Sequence, residues 1–242
     1  MTERRFRVEA LGEVGERVPL ADAAARHASV LRLRAGDEVV LFDGRGGEAL
    51  ASLEDEAGEL SGRLLERRQA REPWHVVLIV GMPKASALEE LLRGATEAGA
   101  SEVRLFGAAR SVVRLDELRA PKKLERWRRI LDEASRQSER AIVPTLSIHT
   151  SLAQAIAVLP EGARVAALDA REGRDLAEVL GAGALARVIV IGPEGGLDDE
   201  ELGVLEARGG ARARAPLPVL RVETAAVVAT ALAAMACSRV SR

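Results

Sequence analysis

Val188-Ile189-Val190-Ile191-Gly192-Pro193-Glu194-Gly195-Gly196-Leu197 decides how the carboxyl-terminal part of this chain folds. Four consecutive β-branched residues, Val188 to Ile191, predict a strand covered on both faces. Gly192, Gly195 and Gly196 then remove side chains where a backbone bends sharply or approaches another group closely. Asp198 stands at an N-cap position and Glu201 three residues later, the spacing of a capping box, so a helix should start at Asp199. A glycine-rich turn at the carboxyl end of a buried strand is a place where α/β proteins bind ligands. Phosphate is the usual ligand of such a turn. Here Glu194, Asp198, Asp199, Glu200 and Glu201 surround the turn with negative charge, which suits a neutral or cationic ligand better. A tight turn with no ligand satisfies the same residues, because the helix dipole favours carboxylates in a first turn.

Outward from this stretch, strands and helices alternate. Strands are predicted at Val76 to Val80, Val103 to Phe106, Leu146 to Ile148 (an edge strand), Val165 to Leu168 and Ala211 to Ala215. Helices are predicted at Ala85 to Ala98, Pro121 to Ser138, Leu152 to Leu159, from Asp175, and at Glu223 to Ser238. Such alternation means a parallel sheet with helices on both faces. The first seventy residues read differently. Short strands at Phe6 to Val8, Asp37 to Phe42, Glu48 to Leu53 and Glu59 to Glu66, a helical Asp22 to Leu33 and a hairpin turn at Asp43 to Gly47 predict a small β-barrel. The polar run Gln69 to Pro73 separates the two patterns, giving domains of residues 1–72 and 73–242.

Composition narrows the class. Of 242 residues, 48% are apolar and 30% charged, as in a globular protein; aromatics are only 2%, so the core must be built from Ala, Val, Leu and Ile. The single cysteine, Cys237, sits among alanines, excludes an intrachain disulfide and points to a reducing, cytoplasmic setting. No apolar run follows the amino terminus, so no secretory signal is expected. The apolar stretch Thr224 to Cys237 is too short to span a bilayer and reads as a buried helix. The net charge of −2 excludes a generic basic coat for nucleic acid. Yet Arg104 to Arg140 holds eleven Lys/Arg against six Asp/Glu. That is either a solvated helix face or a local surface for a polyanion.

Several motifs fail on context. Gly181-Ala182-Gly183-Ala184-Leu185-Ala186 matches a dinucleotide fingerprint but precedes a strand instead of following one. There is no P-loop, zinc-protease motif or nucleophile elbow. His27, His75 and His149 lie too far apart in sequence to suggest a metal site.

The stretch from Ile191 to Leu197, with Val219-Leu220-Arg221-Val222-Glu223-Thr224-Ala225 downstream, closely resembles the carboxyl-terminal motifs of the RsmE family. Those proteins are SPOUT-superfamily methyltransferases that modify N3 of a uridine in 16S ribosomal RNA. Arg26-His27, Val30-Leu31-Arg32, Gly36-Asp37-Glu38 and Phe42-Asp43-Gly44 resemble the family's amino-terminal RNA-binding domain. Ala95 to Gly99, Arg110 to Val113, Lys122 to Trp127, and Glu133-Ala134-x-x-Gln137-Ser138-x-Arg140 with Pro144 are similar to its catalytic domain. Departures are Pro216 and Pro218, where the family usually has Gly and Arg, and Gly94, where a Lys is common.

The resemblance implies a SPOUT-type, trefoil-knotted parallel sheet preceded by a PUA-like β-barrel, an obligate homodimer, and S-adenosylmethionine as cofactor. Its sulfonium cation agrees with the acidic turn. The implied cofactor residues are Leu168, Gly192, Pro193, Glu194, Gly195, Gly196, Leu217, Val219, Leu220, Thr224 and Ala225. Arg221 is the expected catalytic cation, and Glu223 would take the proton or orient Arg221. RNA contacts are expected from Arg26, His27, Arg32, Arg34, Arg110, Arg136, Gln137 and Arg140; no metal or membrane is expected. Methylation of another base atom or of a ribose hydroxyl, and a non-catalytic ribosome-assembly role, stay open at this point.

Overall fold

The computed structural model describes residues 4–56, 58–70, 72, 74–110, 121–181, 184 and 186–238. Among the features read from the sequence, Pro73, Ser111 to Val113, Arg114, Asp116, Glu117, Arg119, Ala182, Gly183 and Leu185 lie outside the described residues. The chain forms two compact units. One comprises Met1–Glu72 with Asp132–Val143, the other Pro73–Leu131 with Pro144–Arg242.

The first unit holds β1 (Arg5–Arg7), β2 (Arg17–Pro19), α1 (Asp22–Val30), β3 (Glu38–Phe42), β4 (Gly47–Glu56) and β5 (Glu59–Gln69). They form a five-stranded sheet in the order β1-β3-β4-β5-β2. The β1–β3 pair is parallel and the other pairs are antiparallel. Among the described residues no ladder joins β1 to β2. Phe6, Val18, Leu41, Leu53 and Leu64 fill its core with Ala28 of α1. Residues 132–143 belong to this unit because they pair with the β3–β4 turn. Gly46 N donates to Ala141 O (3.1 Å) and Val143 N to Gly44 O (2.9 Å). β2 escaped the sequence reading because it has three residues and buries only Val18.

The second unit contains β6 (Val76–Gly81), α2 (Ala85–Glu97), β7 (Glu102–Phe106), α3 (Pro121–Gln137, its last turns in the first unit), β8 (Thr145–His149), α4 (Leu152–Ala155), β9 (Arg164–Leu168), β10 (Arg174–Asp175), α5 (Leu176–Leu180), β11 (Arg187–Ile191), α6 (Asp199–Glu206), β12 (Ala211–Arg214) and α7 (Val222–Ser238). The seven strands run in the order β10-β12-β9-β11-β6-β7-β8, and every pair is parallel. β11 lies between β9 and β6 and is buried along its whole length, as its run of β-branched residues requires. On one face Val77, Ile79, Val188 and Val190 pack with Leu152 of α4, Ile156 just after it and Leu205 of α6. On the other face α7 packs against α2, β6 and β11. Gly94 permits that approach, since a Cβ there would lie 2.5 Å from Val227 Cγ2.

α4 has four residues, not the eight predicted. Arg104 explains the early stop: its Nη1 donates to the carbonyls of Ala155 (2.8 Å) and Val158 (2.6 Å). Arg208 takes the Ala157 carbonyl (3.3 Å). Those acceptors would have served a further helical turn. No helix among the described residues is long and apolar enough to cross a membrane.

Candidate active site

Because β11 sits beside β9, and β12 on the far side of β9, three carboxyl-terminal loops converge. They are the segments after Leu168, after Ile191 and after Arg214. With one face of α7 they enclose a cavity of about 590 Å³. Leu168, the turn Gly192 to Gly196, Leu217, Val219, Leu220 and Ala225 all line it, as does Arg221. Thr224 and Glu223 do not. Both belong to the first turn of α7, where Thr224 is exposed and Glu223 half-buried. A carboxylate in that turn also complements the helix dipole.

The turn after β11 closes on itself through Gly196 N donating to Pro193 O at 2.8 Å. A Cβ on Gly192 would lie 2.7 Å from both Gly196 C and Leu197 N, so no other residue fits there without moving backbone. The predicted capping box is complete. Asp198 Oδ1 accepts from Glu201 N (2.8 Å), and Glu201 Oε2 accepts from Asp198 N (3.0 Å). Glu201 Oε1 also accepts from Ala109 N (3.1 Å). Next to it Arg110 Nη1 donates to Gly195 O (2.8 Å). Arg110 thus braces the turn and lines the cavity, a placement that its expected RNA role did not anticipate.

In the loop after β9, Asp169 Oδ1 accepts from the backbone N–H groups of Arg171 (2.8 Å) and Glu172 (3.1 Å). Arg212 Nη1 holds Glu172 Oε2 at 2.6 Å. In the third loop Leu217 N donates to Ala215 O (2.8 Å), a three-residue turn centred on Pro216. A proline suits that centre because its φ is already fixed. Glu194 and Asp169 line the cavity together with Arg110, Arg171, Arg212 and Arg221, while Ile191, Leu197, Leu220, Val228 and Leu232 give it apolar walls. Arg221 lines it, its carbonyl accepting from Ala225 N (2.8 Å) and its guanidinium without a hydrogen bond or ion pair among the described residues.

Asp169, Arg212 and the α7 residues Val228, Ala229 and Leu232 were missed in the sequence. Ala225, Val228, Ala229 and Leu232 follow a helical i, i+3, i+4, i+7 spacing, which the uniformly apolar helix conceals. The basic residues divide. Arg26, Arg32, Arg34 and Gln137 are exposed. His27 is half-buried, edge-on to Phe6, with its Nε2 2.9 Å from Arg136 Nη1. Burial, and then the Arg136 guanidinium, hold its pKa below the usual histidine value. A guanidinium can only donate, so Nε2 is the acceptor in this contact. Arg140 is only 7% exposed and grips Glu72 through Nε (2.7 Å) and Nη2 (2.6 Å). That buried pair makes Arg140 structural, contrary to the expected RNA contact. In the basic stretch, Arg126 is paired with Glu89 and Arg129 with Glu125.

Residues 70–234 match the family described as RNA methyltransferase domain, and residues 20–63 match the RNA methyltransferase PUA domain. Ribosomal RNA small subunit methyltransferase E of Mycobacterium bovis is 34% identical over 248 aligned positions, covering 99% of this chain and 94% of that protein. The chain belongs to the small subunit methyltransferase E family. The family's Neisseria gonorrhoeae member, solved bound to S-adenosyl methionine, is 27% identical with a TM-score of 0.85 and 95% of each chain covered. A methyltransferase from Legionella pneumophila, in complex with the same cofactor, is 25% identical with a TM-score of 0.83 and 98% of each chain covered. The fold is that of this methyltransferase E family: a small PUA-like β-sheet domain and a parallel-sheet, SPOUT-type methyltransferase domain.

Proposed function

We propose that this chain transfers a methyl group from S-adenosylmethionine to N3 of a specific uridine in 16S ribosomal RNA. The carrying observation is the three-loop cavity, with a glycine-rich turn and apolar walls around Arg221, whose guanidinium has no partner among the described residues. These residues fit the cofactor. The Gly192 to Gly196 turn offers backbone groups, Leu197, Leu220 and Val228 suit an adenine ring, and the lining holds both carboxylates (Asp169, Glu194) and guanidinium groups for the charged methionine end. When bound, the cofactor supplies an electrophilic methyl group on a positively charged sulfur.

The chain's own residues do the rest. Much of the work is positioning two reactants. Uracil N3 becomes nucleophilic only after passing its proton to a base, for which Glu223, two residues from Arg221, or solvent water would serve, and the resulting charge spreads to the flanking carbonyl oxygens. The Arg221 guanidinium, uncommitted to other groups, would stabilise that charge. Arg26, His27, Arg32 and Arg34 on the PUA-like domain, with Arg136 and Gln137, would hold RNA phosphates and position the substrate. The same reading includes a trefoil-knotted carboxyl-terminal segment, a homodimer and a cytoplasmic setting.

Arg221→Ala should lower turnover on 16S ribosomal RNA by about a hundredfold or more. Its cofactor affinity, by calorimetry, should stay close to that of the parent. Nucleoside mass spectrometry of the product should find N3-methyluridine in the parent reaction only. Methylation by the variant at the parental rate rejects Arg221, and a methyl group on another base atom or a ribose rejects the acceptor.

A further inference from the structure

The carboxyl end of α1 leaves two aliphatic side chains in solvent: Val30 is 77% exposed and Leu31 40%. The helix closes in a Schellman arrangement, with Leu33 N donating to Ala28 O (3.0 Å) and Arg32 N to Ser29 O (2.9 Å). Ala28 and Leu33 join the core of the PUA-like domain, which turns Val30 and Leu31 outward. The position that must adopt positive φ in this motif is usually glycine; here it is Arg32, at φ 56°. Arg32 therefore sits, at a backbone cost, where glycine would sit freely.

Three arginines surround the aliphatic pair. Arg26 precedes Val30 by four residues and shares its helix face. Arg32 and Arg34 follow it. All three are exposed, and none forms an ion pair among the described residues. The acid beside them, Asp37, accepts the backbone N–H of Arg34 (2.8 Å) and lies 4.0 Å from Arg4. Guanidinium groups suit phosphates, and exposed aliphatic carbons suit the face of a base. A stacked A-form duplex offers no free base face, whereas an unpaired nucleotide does.

Building on the RNA methyltransferase reading, we propose that Val30 and Leu31 form an apolar finger against an unpaired base of the substrate RNA, with Arg26, Arg32 and Arg34 on the flanking phosphates. The finger selects single-stranded or loop RNA over duplex, and its contribution releases no counterions.

The test uses the full chain and a fluorescent single-stranded RNA of about 15 nucleotides, with the duplex of the same sequence alongside. The double variant Val30→Ser/Leu31→Ser should bind the single strand about fivefold or more weakly at every salt concentration, with the slope of log K against log salt unchanged. Its duplex affinity should not change. Arg32→Ala should reduce that slope by roughly one. Arg32→Gly should weaken RNA binding without lowering the thermal midpoint. An unchanged single-strand affinity in the double variant overturns the proposal, and so does an equal loss on duplex. A fall in the mass of the assembly caused by the double variant would mark the patch as a protein contact and overturn it too. Calorimetry with S-adenosylmethionine separates this outcome from failure of the parent reading, because none of these residues lines the cofactor cavity.

Discussion

Arg140, Arg187 and Arg221 carry the same side chain to three different ends. Arg140 is buried and neutralised by Glu72. Arg187 is fully buried, and its guanidinium is met by the carbonyls of Ala184 (2.5 Å) and Gly181 (2.8 Å). Arg221 is exposed and lines the cavity. Residue type announces a cation; only the surroundings decide whether it holds the fold or faces a substrate. Glycine at position 192 is the converse case, where absence of a side chain is the function. A Gly192→Ala methyl group would meet main-chain atoms of Gly196 and Leu197, neither of which can rotate away. The turn would have to open, and its backbone groups would leave the cavity. Calorimetry should then find S-adenosylmethionine bound about tenfold more weakly or worse, a loss of about 1.4 kcal/mol per factor of ten. Undiminished affinity would mean that the turn is not part of the cofactor site.

Elements inherit their limits from such contacts. α6 begins where its capping box dictates, and the same Glu201 carboxylate reaches the Ala109 N–H beside Arg110. Glu201→Ala should therefore do two things. Loss of the cap should lower stability by about 1 kcal/mol in urea denaturation. Release of the Ala109–Arg110 segment should also weaken cofactor binding, whereas the parent level of binding would show that the brace is idle. The alternation of β-branched runs and helical spacing made most strands and helices readable. β2 and β10 were not, because two or three residues with at most one buried side chain carry no period. Nor was the end of α4, which depends on Arg104 from a distant strand. The candidate site was readable where glycines shape backbone, from Gly192 to Gly196, whereas Pro216 counted there only as a departure from the family. It was hidden where it depends on strand order, since nothing local places β12 beside β9 and so Arg212 beside Glu172. Arg140 misled for the same reason, its partner lying sixty-eight positions earlier in the chain.

Beyond the single chain, α7 has more apolar surface than its own fold covers. Ala226, Ala229 and Ala233 are buried, but Leu232 and Met235 are exposed, as are Leu217 and Val219 in the loop before the helix. Val219 is 78% exposed and Met235 57%. A helix apolar on all sides belongs in an interior, and here one side has none. A second copy of the chain supplies it in the proposed homodimer, through a self-complementary contact about a twofold axis. Leu217, Val219 and Leu232 also line the cavity proposed for the cofactor, so covering them would dry one of its walls. Met235 does not line it, which makes Met235 the place to separate assembly from cofactor contact. Met235→Asp puts a charge on an exposed position and should leave the circular dichroism of the chain unchanged. Buried against a second copy, that charge would be costly. Sedimentation equilibrium should show the mass falling from two chains to one, and methyl transfer to 16S ribosomal RNA should fall with it. A variant that stays dimeric would place the interface elsewhere. A monomer with full activity would show instead that each chain completes its own site, leaving the exposed face of α7 without a part in the reaction.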